Sequence, residues 1–174
     1  EGKHQLALPL SKYFNRLLSN SSYPSSWKLA NVCPFFKKSD PSKPCNYRPI
    51  SLLSCLGKLM KRCIHKHSYN YVISNKLLTP NQSGFIKGDS TINQLTFLYN
   101  DISKALDEGK EVRAVFCDIS KAFDRVWHKG LLFKLTSLGV NGHLLRWFVS
   151  YIAGRKQKDI VSNNYSNIIY TNDC

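Results

Sequence analysis

Leu6, Leu10, Phe14, Leu17 and Leu18 fall on one stripe, so residues 5–19 are predicted to form a helix, with Pro9 delaying its start. Between Gly57 and Asn75, Leu59, Met60, Cys63, Ile64, Tyr71 and Val72 recur at helical spacing. Lys58, Lys61, Arg62, His65 and Lys66 lie between them, which predicts a basic-faced helix. Ser90 is placed to cap a third helix that carries Ile92, Leu95, Leu98, Ile102, Ala105 and Leu106 and ends at Gly109. Leu131, Leu132, Leu135 and Leu138, closed by Gly139, predict another helix. Leu144, Leu145, Phe148, Val149 and Ile152, closed by Gly154, predict one more.

Shorter apolar runs lie between these stripes. "LANVCPFFKK", Leu29 to Lys38, and "YRPISLLS" flank the turn-rich "SDPSKPCN", which predicts two strands with Lys37, Lys38 and Arg48 at the mouth of their loop. "EVRAVFCDIS" is apolar on both faces. It predicts a buried strand over 113–119 with Asp118 at its exit, followed by a helix from Lys121 capped by Ser120. "KDIVS" and "NIIYT" predict a closing hairpin over residues 158–171. Helix, hairpin, helices, strand, helices, hairpin is an α+β order.

Charge changes the picture more than composition does. The 174 residues hold 25 Lys+Arg against 11 Asp+Glu, a formal +14, which calls for a polyanionic partner, nucleic acid first. A membrane is disfavoured, since no apolar run approaches the length needed to span one and the N-terminal residues carry no signal-like apolar core. We therefore expect an intracellular chain, in cytoplasm and nucleus and not secreted. The six cysteines show no CxxC pair and no zinc-like spacing, so free thiols are expected. Both termini read as cuts in a longer sequence.

In "FCDISKAFDRVWH", residues 116–128, a carboxylate emerges from an apolar run and precedes a helix start. Asp118 there can hold a hard cation such as Mg²⁺, which prefers oxygen ligands, or simply complement the next helix. Asp124 fits a helix-start role. Phe123 in isolation reads as packing, and Lys38 and Lys43 read as a solvated basic loop.

"FCDISKAFDRVWH" resembles the first palm motif of reverse transcriptases of retrotransposons without long terminal repeats, such as the LINE and jockey groups. "WKLANVCPFFKK", "NYRPISLL", "NQSGFIKGDST" followed by "QL", and "RKQ" at 155–157 agree with the same family in order and spacing. The resemblance runs from about Leu8 to Gln157. It implies the fingers (residues 1–112) and partial palm (residues 113–174) of a right-hand polymerase, with helices packed on short antiparallel strands.

The resemblance further implies a role for each matched position. Asp118 is the catalytic aspartate that ligates Mg²⁺ in a two-metal mechanism. The segment of Ile119, Ser120, Lys121 and Ala122 lies under the triphosphate, and the ring of Phe123 stands where a ribose 2′ hydroxyl would sit. Lys37 and Arg48 contact the incoming nucleotide's phosphates, as their chemistry suits them to do. Gly84, Phe85 and Gly88 lie against the template, although the glycines equally suit an ordinary turn. Trp127 and His128 are structural or template-facing. The implied partners are an RNA template, a DNA primer, deoxynucleoside triphosphates and the remaining palm and thumb, with an endonuclease domain as a further candidate in the full-length protein.

Departures from the family pattern accompany the matches. Ser39 stands for a usual Gly, Lys61 for a usual Glu and Ser68 for a usual Leu, as in a divergent or decaying copy. "YTNDC" occupies the place of an expected Gly-Val-Pro-Gln-Gly-Ser block, and one of three expected metal carboxylates is present. Two readings result: a polymerase fragment inactive by itself, or a remnant acting only as a basic nucleic-acid-binding module. A magnesium-dependent phosphatase using Asp118 as nucleophile is disfavoured, because Ser120 stands where such enzymes place a second acid.

Overall fold

The computed structural model describes residues 2–120, 122–161, 164–165 and 169–170. Five α-helices and five short strands appear among them: α1 Lys3–Ser19, β1 Leu29–Phe36, β2 Tyr47–Leu52, α2 Cys55–Ser74, α3 Thr91–Asp107, α4 His128–Ser137, α5 Gly142–Ile152, β3 Lys156–Val161, β4 Asn164–Tyr165 and β5 Ile169–Tyr170. The expected α+β class holds in this mixed form. The chain divides into two compact units, residues 1–68 with 126–174, and residues 69–125.

The first unit holds the sheet, in strand order β2-β1-β3-β4 with β5 also on β3. Its pairs are antiparallel except β1 with β3, which run parallel, a departure from the purely antiparallel expectation. β1 pairs with Lys156 to Asp159 of β3 over Leu29 to Val32, and has neighbours on both sides only at Asn31 and Val32. Pro34 lies beyond that overlap, facing Pro49 of β2. The Lys37 N–H donates to the Asn46 carbonyl at 2.8 Å, which sets the alternation so that the two prolines meet at a non-bonded pair. Their missing N–H groups therefore cost the β1–β2 ladder nothing. The closing hairpin appears as β3 pairing with β4 and β5, while residues 162–163, 166–168 and 171 of the expected span lie outside the described residues.

The core of this unit is aromatic. Tyr23, Trp27, Met60 and Trp147 are buried, with Phe14, Leu17, Leu18, Ile64, Phe148 and Tyr151 packed around them. The Tyr23 ring meets Trp27, Trp147 and Tyr151 edge-on at 5.5, 5.6 and 5.1 Å, the arrangement that ring quadrupoles favour. The Tyr23 N–H donates to Ser150 Oγ of α5 at 3.0 Å. α1 delivers Tyr23 to this place by ending in a 6→1 and 5→2 pair of bonds, Ser22 N–H to Leu17 O and Ser21 N–H to Leu18 O, with Ser21 at φ +53°. α1 begins at Lys3, earlier than expected, and contains Pro9. The proline removes a single donor and fixes φ at a helical value, which the surrounding turns absorb.

The second unit contains the end of α2, α3 and the segment leading to Asp118. Ser90 Oγ accepts the Asn93 N–H at 3.1 Å, as the sequence predicts, and Gly109 at φ +71° closes α3. The expected strand over 113–119 is not formed. Residues 111–119 have no regular secondary structure, and Val115, Phe116 and Ile119 are largely exposed. A strand exists only through hydrogen bonds to a neighbour, and no described residue pairs with this run. The expected helix after Ser120 is likewise reduced to a 3-10 turn, Ala122–Arg125.

Gly57 in α2 tests the aromatic core. A Cβ there would sit 2.7 Å from the Tyr23 hydroxyl oxygen and 3.5 Å from Trp27 Cβ. Alanine ordinarily favours a helix over glycine by about 1 kcal/mol, but overpacking against a ring held on three sides costs about 1 to 3 kcal/mol. Gly57→Ala should therefore lower the denaturation midpoint at unchanged m-value.

Candidate functional site

The candidate residues fall in three places, each described within its own unit. In the first unit, Lys37 and Arg48 stand at the open end of the β1–β2 hairpin. Phe35 faces Arg48 across the ladder, and Lys37 follows two residues on, so all three share one face. Both cations are exposed, and neither makes an ion pair among the described residues. The loop between the strands is built to hold them apart from its own acid. Asp40 Oδ1 accepts the Ser42 N–H at 2.9 Å and the Ser42 hydroxyl at 2.7 Å, while Asn46 Nδ2 and the Tyr47 hydroxyl donate to the carbonyls of Asp40 and Pro41. The Ser42 N–H, and then its hydroxyl, hold the Asp40 carboxyl below its ordinary pKa. Lys43 is 4.0 Å from Asp40, so the one local acid is paired within the loop.

In the second unit, Gly84, Phe85 and Gly88 lie on a loop of successive tight turns, with Gln82 N–H to Thr79 O, Ile86 N–H to Ser83 O and Asp89 N–H to Ile86 O. Gly88 has φ +88°, a conformation that glycine tolerates and other residues rarely adopt. Phe85, at φ +65°, adopts the left-handed region without that freedom, and its ring is 89% exposed. Gly84 faces open space. The Lys87 N–H donates to the Tyr69 hydroxyl at 2.8 Å, anchoring the loop to α2. Asp89 closes it: hydrogen bonds from the Ser83 hydroxyl first, then from the Ser90 N–H at 2.7 Å, depress its carboxyl pKa. An open groove of about 550 Å³ runs beside this loop, lined by Asn81, Gln82, Ser83, Asn93, Gln94 and Phe97 among others. Its amide-rich lining was not among the expected site residues. The signal was available in the polar, turn-forming composition of residues 81–94.

Asp118 is exposed and makes no hydrogen bond or ion pair among the described residues. Ile119, Ser120, Ala122 and Phe123 follow it, all exposed, with the Phe123 ring 83% open. Lys121 lies outside the described residues. Asp124 is exposed in the 3-10 turn without a bonded partner, so the helix-start role expected for it has no helix to act on. Among the described residues no group of three or more His, Cys, Asp or Glu comes together. A cation that demands near-octahedral oxygen coordination is not held by one exposed carboxylate. The described residues therefore do not by themselves fit a Mg²⁺ site. The Trp127 ring lies over Gly130, where a Cβ would come within 2.2 Å of it, which makes Trp127 a closure of the α4 N-terminus.

Phe85 separates local stability from recognition. A non-glycine residue in the left-handed region costs roughly 1 to 2 kcal/mol, and the exposed ring returns little by packing. Phe85→Gly should leave the unfolding temperature equal or higher, while weakening binding of a single-stranded template measured by anisotropy. A fall in both would show the ring to be a packing residue.

The model of the family described as "Reverse transcriptase (RNA-dependent DNA polymerase)" matches residues 36–173. The chain is 36% identical over 160 residues to a probable RNA-directed DNA polymerase from transposon BS of Drosophila melanogaster, covering 91% of this chain and 18% of that protein. It is 35% identical over 130 residues to the RNA-directed DNA polymerase from mobile element jockey of the same organism, covering 74% and 14%. It is 30% identical over 118 residues to the Pol polyprotein from type-1 retrotransposable element R2 of Popillia japonica, covering 68% and 16%. The chain thus spans less than a fifth of the length of these curated relatives. With most of its residues inside the matched region, the chain belongs to the reverse transcriptase family, in the branch carried by non-LTR retrotransposons.

Proposed function

We propose that this chain supplies the fingers, residues 1–112, and the first part of the palm, residues 113–174, of an RNA-directed DNA polymerase. The whole enzyme extends a DNA primer on an RNA template with deoxynucleoside triphosphates, inside the cell. The observation that carries the reading is the family match across residues 36–173, which includes the Asp118 motif and the Arg48 strand. The shared face of Lys37 and Arg48 supports it, because two unpaired cations on a rigid hairpin suit the oxygens of a triphosphate.

In this reading the primer 3′ hydroxyl attacks the α-phosphorus and pyrophosphate leaves. Lys37 and Arg48 bind phosphate oxygens and offset the charge that builds on the leaving group. The ring of Phe123 excludes a 2′ hydroxyl by bulk. Asp118 contributes one carboxylate to Mg²⁺ binding in the family's two-metal chemistry, with the others drawn from further sequence. Because the described residues do not complete such a site, the chain alone is expected to be inactive. The alternative, a basic remnant that only binds nucleic acid, draws on the charge of +14 and on the ungrouped carboxylate. The reading frame downstream of Cys174 separates the two, since paired aspartates favour the enzyme and a stop favours the remnant.

A fusion of residues 1 to 170 to the remaining palm and thumb of a related element should extend a primer on an RNA template, while the chain alone does not. In the fusion, Asp118→Asn should abolish extension and leave template binding nearly unchanged. Phe123→Ala should extend with ribonucleotides as well as deoxynucleotides. Extension by the Asp118→Asn fusion would overturn the catalytic assignment, and unchanged sugar discrimination in Phe123→Ala would overturn the gate.

A further inference from the structure

Strand pairing alone does not fix the spacing of Lys37 and Arg48. Arg48 lies inside the β1–β2 ladder opposite Phe35, whereas Lys37 lies one residue past the end of β1, opposite Asn46, where the strands part into a loop. The two cations are diagonal neighbours on one face, a relation that places backbones about 7 to 8 Å apart. Side chains rising in parallel from that spacing meet successive phosphates of a chain more readily than they share one phosphate. The loop between residues 38 and 46 decides whether Lys37 keeps that place.

Tyr47 ties this loop down from three directions. On the face opposite the cations its ring lies 5.5 Å from the ring of Phe36, its partner in the ladder. Phe36 and Tyr47 immediately precede Lys37 and Arg48, and they form a non-bonded pair, where facing side chains approach most closely. The Tyr47 N–H donates to the Pro44 carbonyl and closes the 3-10 turn Pro44–Asn46. Its hydroxyl donates to the Pro41 carbonyl at 2.8 Å, which joins the far side of the loop to the strand that carries Arg48. Asn46 adds to this, since its carbonyl holds the Lys37 N–H and its side chain the Asp40 carbonyl, both at 2.8 Å. The loop is held against a local cost: Ser39, two residues after Lys37, sits at φ +75° without the freedom of glycine. A residue in that region persists where surrounding bonds over-determine its conformation, and such residues gather at ligand clamps.

The geometry points to Tyr47 as a positioning residue that sets the spacing of Lys37 and Arg48 for a polyphosphate. Tyr47 acts through the two cations and not on the phosphates, by ordering the loop before the ligand arrives, so that binding does not have to order it. This rests on the reading of Lys37 and Arg48 as the cations that receive the incoming nucleotide's phosphates, and adds the residue through which their spacing is fixed.

The test is an NMR titration of the chain with inorganic tripolyphosphate and, separately, with inorganic phosphate, read at the Lys37 and Arg48 amides. The parent should bind tripolyphosphate more tightly than phosphate at those amides. Tyr47→Phe keeps the ring and deletes the hydroxyl tether, and should weaken tripolyphosphate binding by about two- to tenfold while leaving phosphate binding unchanged. Its unfolding temperature should stay close to the parent's, because the bond removed is exposed. On a Lys37→Met background, Tyr47→Phe should cause no further loss, since a residue that acts through another is not additive with it. Parental tripolyphosphate affinity in Tyr47→Phe, equal losses for both anions, or a full additional loss on the Lys37→Met background would each overturn the positioning role while the reading of Lys37 and Arg48 stands. A parent without preference for tripolyphosphate would overturn that reading and this inference with it.

Discussion

Packing around Tyr23 is the constraint on which the first unit depends. Its ring lies edge-on to Trp27, Trp147 and Tyr151, its hydroxyl lies against Gly57, and its N–H is held by Ser150. One residue after α1 thus fixes α2, α5 and the approach to β1. Trp27 leads into β1 through a 3-10 turn, and β1 carries β2 on one side and β3 on the other. The placement of Lys37 and Arg48 at the far end of the β1–β2 hairpin is a consequence of this chain of contacts. A small sheet with few buried positions, Ala30 and Val32 among them, takes its rigidity from rings packed beside it.

The second unit follows the opposite rule. None of its described residues is buried, and α3 presents Ile92, Leu95, Tyr99 and Leu106 outward. The run of Val115, Phe116 and Ile119 is apolar, exposed and unpaired around Asp118. Apolar surface of this extent signals a binding face, and backbone without a ladder partner is an open edge. The physical incompleteness and the chemical incompleteness coincide in one segment, since the ungrouped carboxylate sits on an apolar run that no described residue pairs with.

Much of the local structure was legible because single residues decide it. Ser90 caps α3 as its position predicts, and Gly109 and Gly139 end α3 and α4 through positive φ. The start of α1 was misread because Pro9 was given more weight than the apolar stripe on either side of it. The end of α1 carried no glycine to announce it, for Ser21 takes the left-handed position. The strand over 113–119 was misread for a deeper reason: its composition states what it would bury and pair with, and neither is local to the sequence. The apolar stripes predict the helices, and one of their residues, Met60, is fully buried, yet the rings of Tyr23, Trp27 and Trp147 that share the core with it carry no such signal, because large rings from separate segments meet only in three dimensions. Among the candidate residues, Lys37 and Arg48 were legible as neighbours from the hairpin pattern.

The proposed polymerase reading turns most directly on residues 113–119, which form no strand here and should form one, with Asp118 at its exit, once further polymerase sequence pairs with them. Hydrogen exchange measured at those amides, in this chain and in the same chain joined to the further palm sequence of a related element, tests it directly. The account predicts fast exchange in the chain alone and, in the fusion, protection comparable to that of the β1 amides. Amides that stay unprotected in a fusion that extends primers would contradict it.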